Sequence, residues 1–171
     1  MNECEIRLIT KADVRSLFNL INNSRETIGK FLPWALEVKK IEDEVFFVKN
    51  ALKGLEKGTM YPFVIEKNNN VVGMIDLHDI DRRNKHADIG YWLGNEYVGQ
   101  GIMSQSVKQI ELYGFEKLNL HKLTIQVEPD NVKSINVARN AGFKYEGTLE
   151  DDKYVNGKFH TFDVYSLINL N

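Results

Sequence analysis

Two short segments hold the residues best suited to chemistry, and both lie within the stretch 94–141. In the first, Glu96-Tyr97-Val98-Gly99-Gln100-Gly101-Ile102, two glycines stand one residue apart behind an apolar run, Ile89-Gly90-Tyr91-Trp92-Leu93. Glycine backbone can approach an anion closely. The helix start that follows, Ile102-Met103-Ser104, offers unpaired N–H groups and the positive end of a helix dipole. A pyrophosphate fits such a turn, and so does a purely structural strand-to-helix connection. In the second segment, Asn131-Val132-Lys133-Ser134, a helix-capping amide is followed three residues later by a hydroxyl in the first helical turn. In this order, with one strand between them, the two segments point to a site for a phosphate-bearing, thiol-carrying cofactor.

Two other phosphate-binding patterns do not fit. A dinucleotide fingerprint needs a third glycine where this chain has Ser104, and it belongs to an extended parallel sheet. Here hairpin-like strands precede the turn. A phosphate-binding loop with its terminal Gly-Lys-Ser/Thr does not occur.

Several elements must position these residues. Ile6-Arg7-Leu8-Ile9 reads as a first strand. Thr10-Lys11-Ala12-Asp13 has the form of a capping box with the shorter acid, and Val14, Leu17, Phe18 and Ile21 recur behind it at helical spacing. Asn22-Asn23-Ser24 is expected to end that helix and to cap a short second one over 25–31, and Pro33 to break the pattern. Glu42-Asp43-Glu44 places acids at the start of a third helix. Its expected stripe is Val45, Val48, Leu52 and Leu55, with Gly58 just past its end.

Strands over 61–66 and 71–77 flank Asn68-Asn69-Asn70, a hairpin signal. Pro62 argues against a central position for the first of these. A third strand covers 86–93, and a helix from Gly99 carries Met103, Val107 and Ile110 on one face. Leu123, Ile125 and Val127 alternate with Lys122, Thr124 and Gln126 as a strand. Pro129-Asp130-Asn131 opens a last helix and Gly142 closes it. A strand from Phe143 turns at Asn156-Gly157 and returns over 158–167. The order β-α-α-α-β-β-β-α-β-α-β-β predicts a mixed α/β domain with a largely antiparallel central sheet flanked by helices. The β-α-β unit around the glycine turn needs at least one parallel pair.

The chain has 171 residues, a length that suits one domain over 1–171. Its net charge of −2 gives no case for direct nucleic-acid or anionic-membrane binding. One cysteine, Cys4, excludes an internal disulfide and fits a reducing compartment. The polar start Met1-Asn2-Glu3-Cys4-Glu5 does not read as a signal peptide. No apolar run approaches a membrane span. A cytoplasmic protein is expected.

The motifs Ala87-Asp88-Ile89-Gly90-Tyr91-Trp92-Leu93, Tyr97-x-Gly99-x-Gly101-Ile102-Met103, Asn131-x-x-Ser134-x-x-Val137-Ala138-x-x-x-Gly142-Phe143, Glu146-Gly147 and Tyr154-x-Asn156-Gly157 resemble, in order and spacing, the GNAT N-acetyltransferases. The nearest branch is similar to the ribosomal-protein alanine N-acetyltransferases. The resemblance runs from Ile6 to Leu167.

The resemblance implies acetyl-CoA as cosubstrate and direct attack of a primary amine, foremost a protein N-terminal α-amine. A polyamine, an aminoglycoside or another small amine is the enzyme alternative, and a non-catalytic acyl-CoA-binding module is the alternative of another class. It also implies that the backbone of Val98, Gly99, Gln100, Gly101, Ile102 and Met103 holds the pyrophosphate. A backbone N–H near Leu93 would polarise the thioester carbonyl, and Asn131 would bind the pantetheine arm. Ser134 would contact the sulfur and protonate the leaving thiolate. A homodimer is expected.

Three positions depart from the pattern. Glu96 stands where Gln or Arg is common, so its side chain must point away from the phosphates. Ala138 stands where many relatives have a tyrosine acid, which leaves that role to Ser134. Lys153 stands where the branch often has a glutamate base. Asp88 is then the candidate base; it is equally readable as a strand acid paired with Arg or Lys. Trp34, His78 and Tyr91 are the expected acceptor-side residues. His78 shares a strand face with Asp76 and has Asp79 beside it, but no third ligand follows at a metal-like spacing, and no metal is expected. His86, His121 and His160 read as isolated.

Overall fold

The computed structural model describes residues 4–170. The start at 1–3, on which the absence of a signal peptide was read, lies outside them. Seven strands form one sheet in the order β1-β2-β3-β4-β5-β7-β6. They are β1 (Cys4–Leu8), β2 (Tyr61–Lys67), β3 (Asn70–Asp81), β4 (His86–Leu93), β5 (Lys122–Val127), β6 (Lys144–Val155) and β7 (Lys158–Ile168). Only β4 and β5 pair in parallel; every other neighbour is antiparallel. The helices are α1 (Val14–Gly29), α2 (Trp34–Glu37), α3 (Ile41–Lys57), α4 (Ile102–Leu112) and α5 (Val132–Asn140). No helix among the described residues is long and apolar enough to cross a membrane.

The order of strands and helices matches the expectation, but three details differ. The Asn22-Asn23-Ser24 run does not end α1, which continues to Gly29. Ser24 is buried, and its hydroxyl accepts a 2.8 Å hydrogen bond from the Asn95 backbone N–H, so tertiary contact overrides the weak local stop signal. Pro62 lies in an interior strand, between β1 and β3. It is tolerated because it stands at the end of the β1–β2 pairing, where its carbonyl still accepts the Ile9 N–H at 3.0 Å and only the last reciprocal bond of the ladder is lost. Finally, the inward stripe of α3 is Glu44, Val48 and Ala51, and Val45 is left 49% exposed.

Both hairpin signals hold. Asn68 and Asn69 take φ of 52° and 61°, and Asn156 and Gly157 take 51° and 79°, as a two-residue turn between twisted strands requires. The Thr10–Asp13 box is also made: Asp13 Oδ2 accepts from the Thr10 N–H at 2.7 Å and from its hydroxyl at 3.0 Å. Arg7 grips the same carboxylate at 2.7 Å and Glu66 at 2.8 Å, tying β1 to the start of α1 and to β2.

The main core lies between the sheet and α4 and α5. It includes Ile75, Leu77, Ala87, Ile89, Val107, Ile110, Leu123, Ile125 and Tyr165. Two smaller clusters pack α1, α2 and α3 on the other face, around Leu17, Val64 and Met74 and around Ile21, Ile28 and Ala35.

Candidate active site

The site follows from one topological fact. β4 and β5 are paired only over His86–Lys122, Ala87–Leu123 and Asp88–Thr124. Beyond Asp88 the two parallel strands separate, although β4 runs on to Leu93 and β5 to Val127. Backbone groups of adjacent strands that no longer face each other are free to pair with an extended ligand entering the gap.

The glycine turn stands at the mouth of this gap. Gly99 and Gly101 take φ of 83° and 76°, which other residues rarely adopt. A Cβ on either would meet nothing within 4 Å among the described residues, so packing does not explain the glycines. Gly101 is the residue before the first turn of α4, whose N–H groups therefore open onto an uncrowded backbone cradle. The chemistry of such a cradle suits a phosphate. Gln100 is turned aside: its amide donates to the Glu96 carbonyl at 2.7 Å and its Oε1 accepts from Lys67 Nζ at 2.6 Å. The Glu96 side chain is exposed.

On the α4/α5 face, Asn131 caps α5. Its Oδ1 accepts the Ser134 N–H at 3.2 Å, which leaves its amide N–H groups for another partner. Ser134 Oγ lies 2.8 Å from the Tyr91 hydroxyl. Burial pushes the Tyr91 phenol up to about 12, against the pull of the Ser134 hydrogen bond, so Tyr91 stays protonated at neutral pH. Tyr91 was expected on the acceptor side; its side chain contacts Ser134 instead. Alternation along β4 puts Tyr91 and Leu93 on the α4/α5 face, and Asp88, Gly90 and Trp92 on the other.

That other face gathers polar residues from four strands. His78 is the register partner of Asp88 across β3–β4. His78 Nδ1 lies 2.7 Å from Asp76 Oδ1, and His78, Asp79 and Asp88 bring ligand-type atoms within 4.8 Å of one another. The third donor missing from the local spacing thus arrives across the sheet. Burial disfavours the charged imidazole, but the Asp76 hydrogen bond and the Asp76, Asp79 and Asp88 charges outweigh it and raise His78 above its usual range. Among the described residues Asp88 has no Arg or Lys ion pair; Gln126 Nε2 donates to its Oδ2 at 3.0 Å. Burial raises the Asp88 carboxyl and Asp79 adds to this, while His78, His86 and Lys153 oppose it. A carboxylate raised in this way accepts a proton more readily near neutral pH.

Beyond them, His160 Nδ1 lies 3.2 Å from Glu128 Oε1, so His160 is not isolated. The signal was available, since Glu128 extends the Thr124, Gln126 alternation of β5 by one step. Lys153 Nζ sits over the Phe162 ring at 4.7 Å. Trp34 is 39% exposed and meets Trp92 edge-on, 6.1 Å between centroids, on the face that Asp88 shares. Cys4 is buried against α4, its Sγ 3.5 Å from the Ile102 carbonyl.

Residues 4–144 match the family model of the acetyltransferase (GNAT) domain. The chain belongs to this family. It is 33% identical over 170 residues to the putative ribosomal N-acetyltransferase YdaF of Bacillus subtilis, covering 95% of this chain and 90% of that one. The structure of RimL, a ribosomal L7/L12 α-N-protein acetyltransferase in complex with coenzyme A, superposes with a TM-score of 0.92 at 28% identity, over 96% of this chain and 93% of that one. The microcin C7 self-immunity acetyltransferase MccE, in complex with acetyl-CoA and AMP, also gives 0.92 at 28% identity, over 99% and 94%. The GNAT fold expected from the motifs is the fold observed, and the chain is an N-acetyltransferase.

Proposed function

We propose that this enzyme transfers the acetyl group of acetyl-CoA to a protein N-terminal α-amine, by direct attack of the amine on the thioester. The observation that carries the reading is the gap between β4 and β5, with Asp88 on one face of β4 and the Tyr91–Ser134 pair on the other. The ribosomal-protein acetyltransferase names of similar proteins support the acceptor class.

In this reading the backbone of 98–103 holds the pyrophosphate at the start of α4. Asn131 holds the pantetheine arm through its free amide N–H groups, and the Leu93 N–H polarises the thioester carbonyl. Asp88 takes the proton of the attacking amine, directly or through water. As the C–N bond forms and the C–S bond breaks, Ser134 protonates the departing thiolate. Tyr91 holds the Ser134 hydroxyl in place. An α-amine has a pKa of roughly 7.7–8.0, so a useful fraction is already neutral and a weak base suffices. Asp76, Asp79 and Asp88 give the acceptor face negative charge, which suits an incoming ammonium group, and Trp34 flanks the same face. The reading takes the chain as one acetyltransferase domain, cytoplasmic and homodimeric, without direct nucleic-acid contact.

The test is a turnover screen with acetyl-CoA against N-terminal ribosomal-protein peptides, polyamines and aminoglycosides. The peptides are expected to give the highest kcat/KM. Preference for a polyamine would move the acceptor to the small-amine class. Binding of acetyl-CoA with no transfer to any amine would leave only a binding module.

A further inference from the structure

A groove of about 640 Å³ runs between the start of α1 and the first turns of α3, away from the gap between β4 and β5. Val14, Ile41 and Val45 contribute its apolar floor, and Lys11, Arg15 and Lys49 its charged rim. Two features separate it from ordinary surface. The first is apolar exposure. The inner face of α3 is taken by Glu44, Val48 and Ala51, which turns Val45 outward, 49% exposed, beside Phe46 at 68% and Phe47 at 37%. Of these, Val45 lines the groove beside Val14 and Ile41, whereas Phe46 and Phe47 leave the helix in other directions and lie outside it. The second is charge. All three ionic residues lining the groove are cations and no carboxylate lines it, in a chain whose net charge is −2. None of the three cations forms an ion pair among the described residues.

We propose that this groove docks an acidic amphipathic helix of a protein partner. An apolar floor beside a helix takes anchors at i, i+3 and i+4. Uncompensated cations on the rim select flanking Asp and Glu and reject a basic helix, because like charges held together are costly. The proposal is independent of which amine is acetylated.

The test uses the full chain and two fluorescein-labelled synthetic helices that share one leucine face, one with Glu and one with Lys on the polar face, followed by fluorescence anisotropy. The Leu/Glu helix is expected to bind, about tenfold or more tighter than the Leu/Lys helix, and to weaken as salt is raised. Arg15→Glu with Lys49→Glu, and separately Val45→Asp, should each weaken it by about tenfold or more. All three positions are solvent-facing, and circular dichroism with unchanged acetyl transfer to a small amine would show that the fold survives. Equal binding of the two helices, no binding of either, or binding indifferent to the substitutions would overturn the proposal. So would sedimentation showing that Val45→Asp splits a dimer, since a second copy would then cover the groove.

Discussion

The Tyr91 hydroxyl lies 2.8 Å from Ser134 Oγ, joining the third-last residue of β4 to the first turn of α5. One residue is on a strand that opens the gap and the other on the helix capped by Asn131. The contact therefore fixes the direction of the Ser134 hydroxyl from two sides: Asn131 holds its backbone and Tyr91 its side chain. With its phenol pushed up to about 12, Tyr91 does not compete as a charged group, and it can accept the Ser134 proton or donate to the Ser134 oxygen.

Ser134→Ala is expected to lower kcat by about a hundredfold with little change in acetyl-CoA affinity, because the hydroxyl matters most as sulfur becomes a thiolate. Tyr91→Phe should give a smaller loss in kcat, about tenfold, and cost about 1 kcal/mol of stability from the lost hydrogen bond. Steady-state kinetics and urea unfolding of both variants check this. A full-rate Ser134→Ala enzyme would remove Ser134 from the chemistry.

Gly101→Val should weaken CoA binding more than it weakens folding. At φ 76° a β-branched residue costs about 1–3 kcal/mol in the backbone, but its Cβ would meet no neighbour. In wild type, acetyl-CoA at a hundredfold excess over Kd should add about 2.7 kcal/mol of stability, whereas nicotinamide dinucleotides should add none. Calorimetric titration and thermal melts of the two proteins separate these effects. A folded Gly101→Val variant that binds CoA normally would move the phosphates elsewhere.

Glu44 offers a stability prediction outside the site. It is 2% exposed, its Oε1 has no hydrogen-bond partner among the described residues, and burial pushes its carboxyl up to about 7. Because the folded pKa lies above the unfolded one, the stabilisation is fully present below about 4.5 and is lost as pH rises through about 7. Glu44→Gln should remove that pH dependence. Its stability should fall by about 2–3 kcal/mol less than wild type between acidic and mildly alkaline pH, read by urea unfolding at each pH. Parallel curves for the two proteins would mean that Glu44 is hydrated.

Sequence alone showed the element order, both hairpin turns, the glycine turn and the Asn131 cap, because each is written in adjacent residues. Long-range contacts were the part it did not show. Ser24 keeps α1 going only because Asn95 arrives from 71 residues away. Gln126 reaches Asp88 across the parallel pair, and Asp88 joins His78 across the antiparallel one. His160 looked isolated because Glu128 is 32 residues distant. Val45 misled because the helical stripe is ambiguous by one position where Glu44, a charged residue, takes the inward place.

Asp88 gives the prediction that separates base from scaffold. Its carboxyl is raised by burial, with His78 opposing, and it accepts one hydrogen bond from Gln126. Asn in its place keeps the shape and an oxygen acceptor for Gln126 but cannot take a proton. Below the amine pKa of roughly 7.7–8.0 most of the acceptor is protonated and needs a base; above it the free amine is abundant. The Asp88→Asn loss in kcat/KM should therefore be largest at low pH, about a hundredfold, and shrink as pH rises past the amine pKa. Ser134→Ala should show no such recovery, because its defect is in the leaving group. The two pH profiles, measured on one α-amine peptide, discriminate the roles. An Asp88→Asn loss that is the same at every pH would make Asp88 a structural partner of Gln126 and His78 and leave the proton to another acceptor on that face.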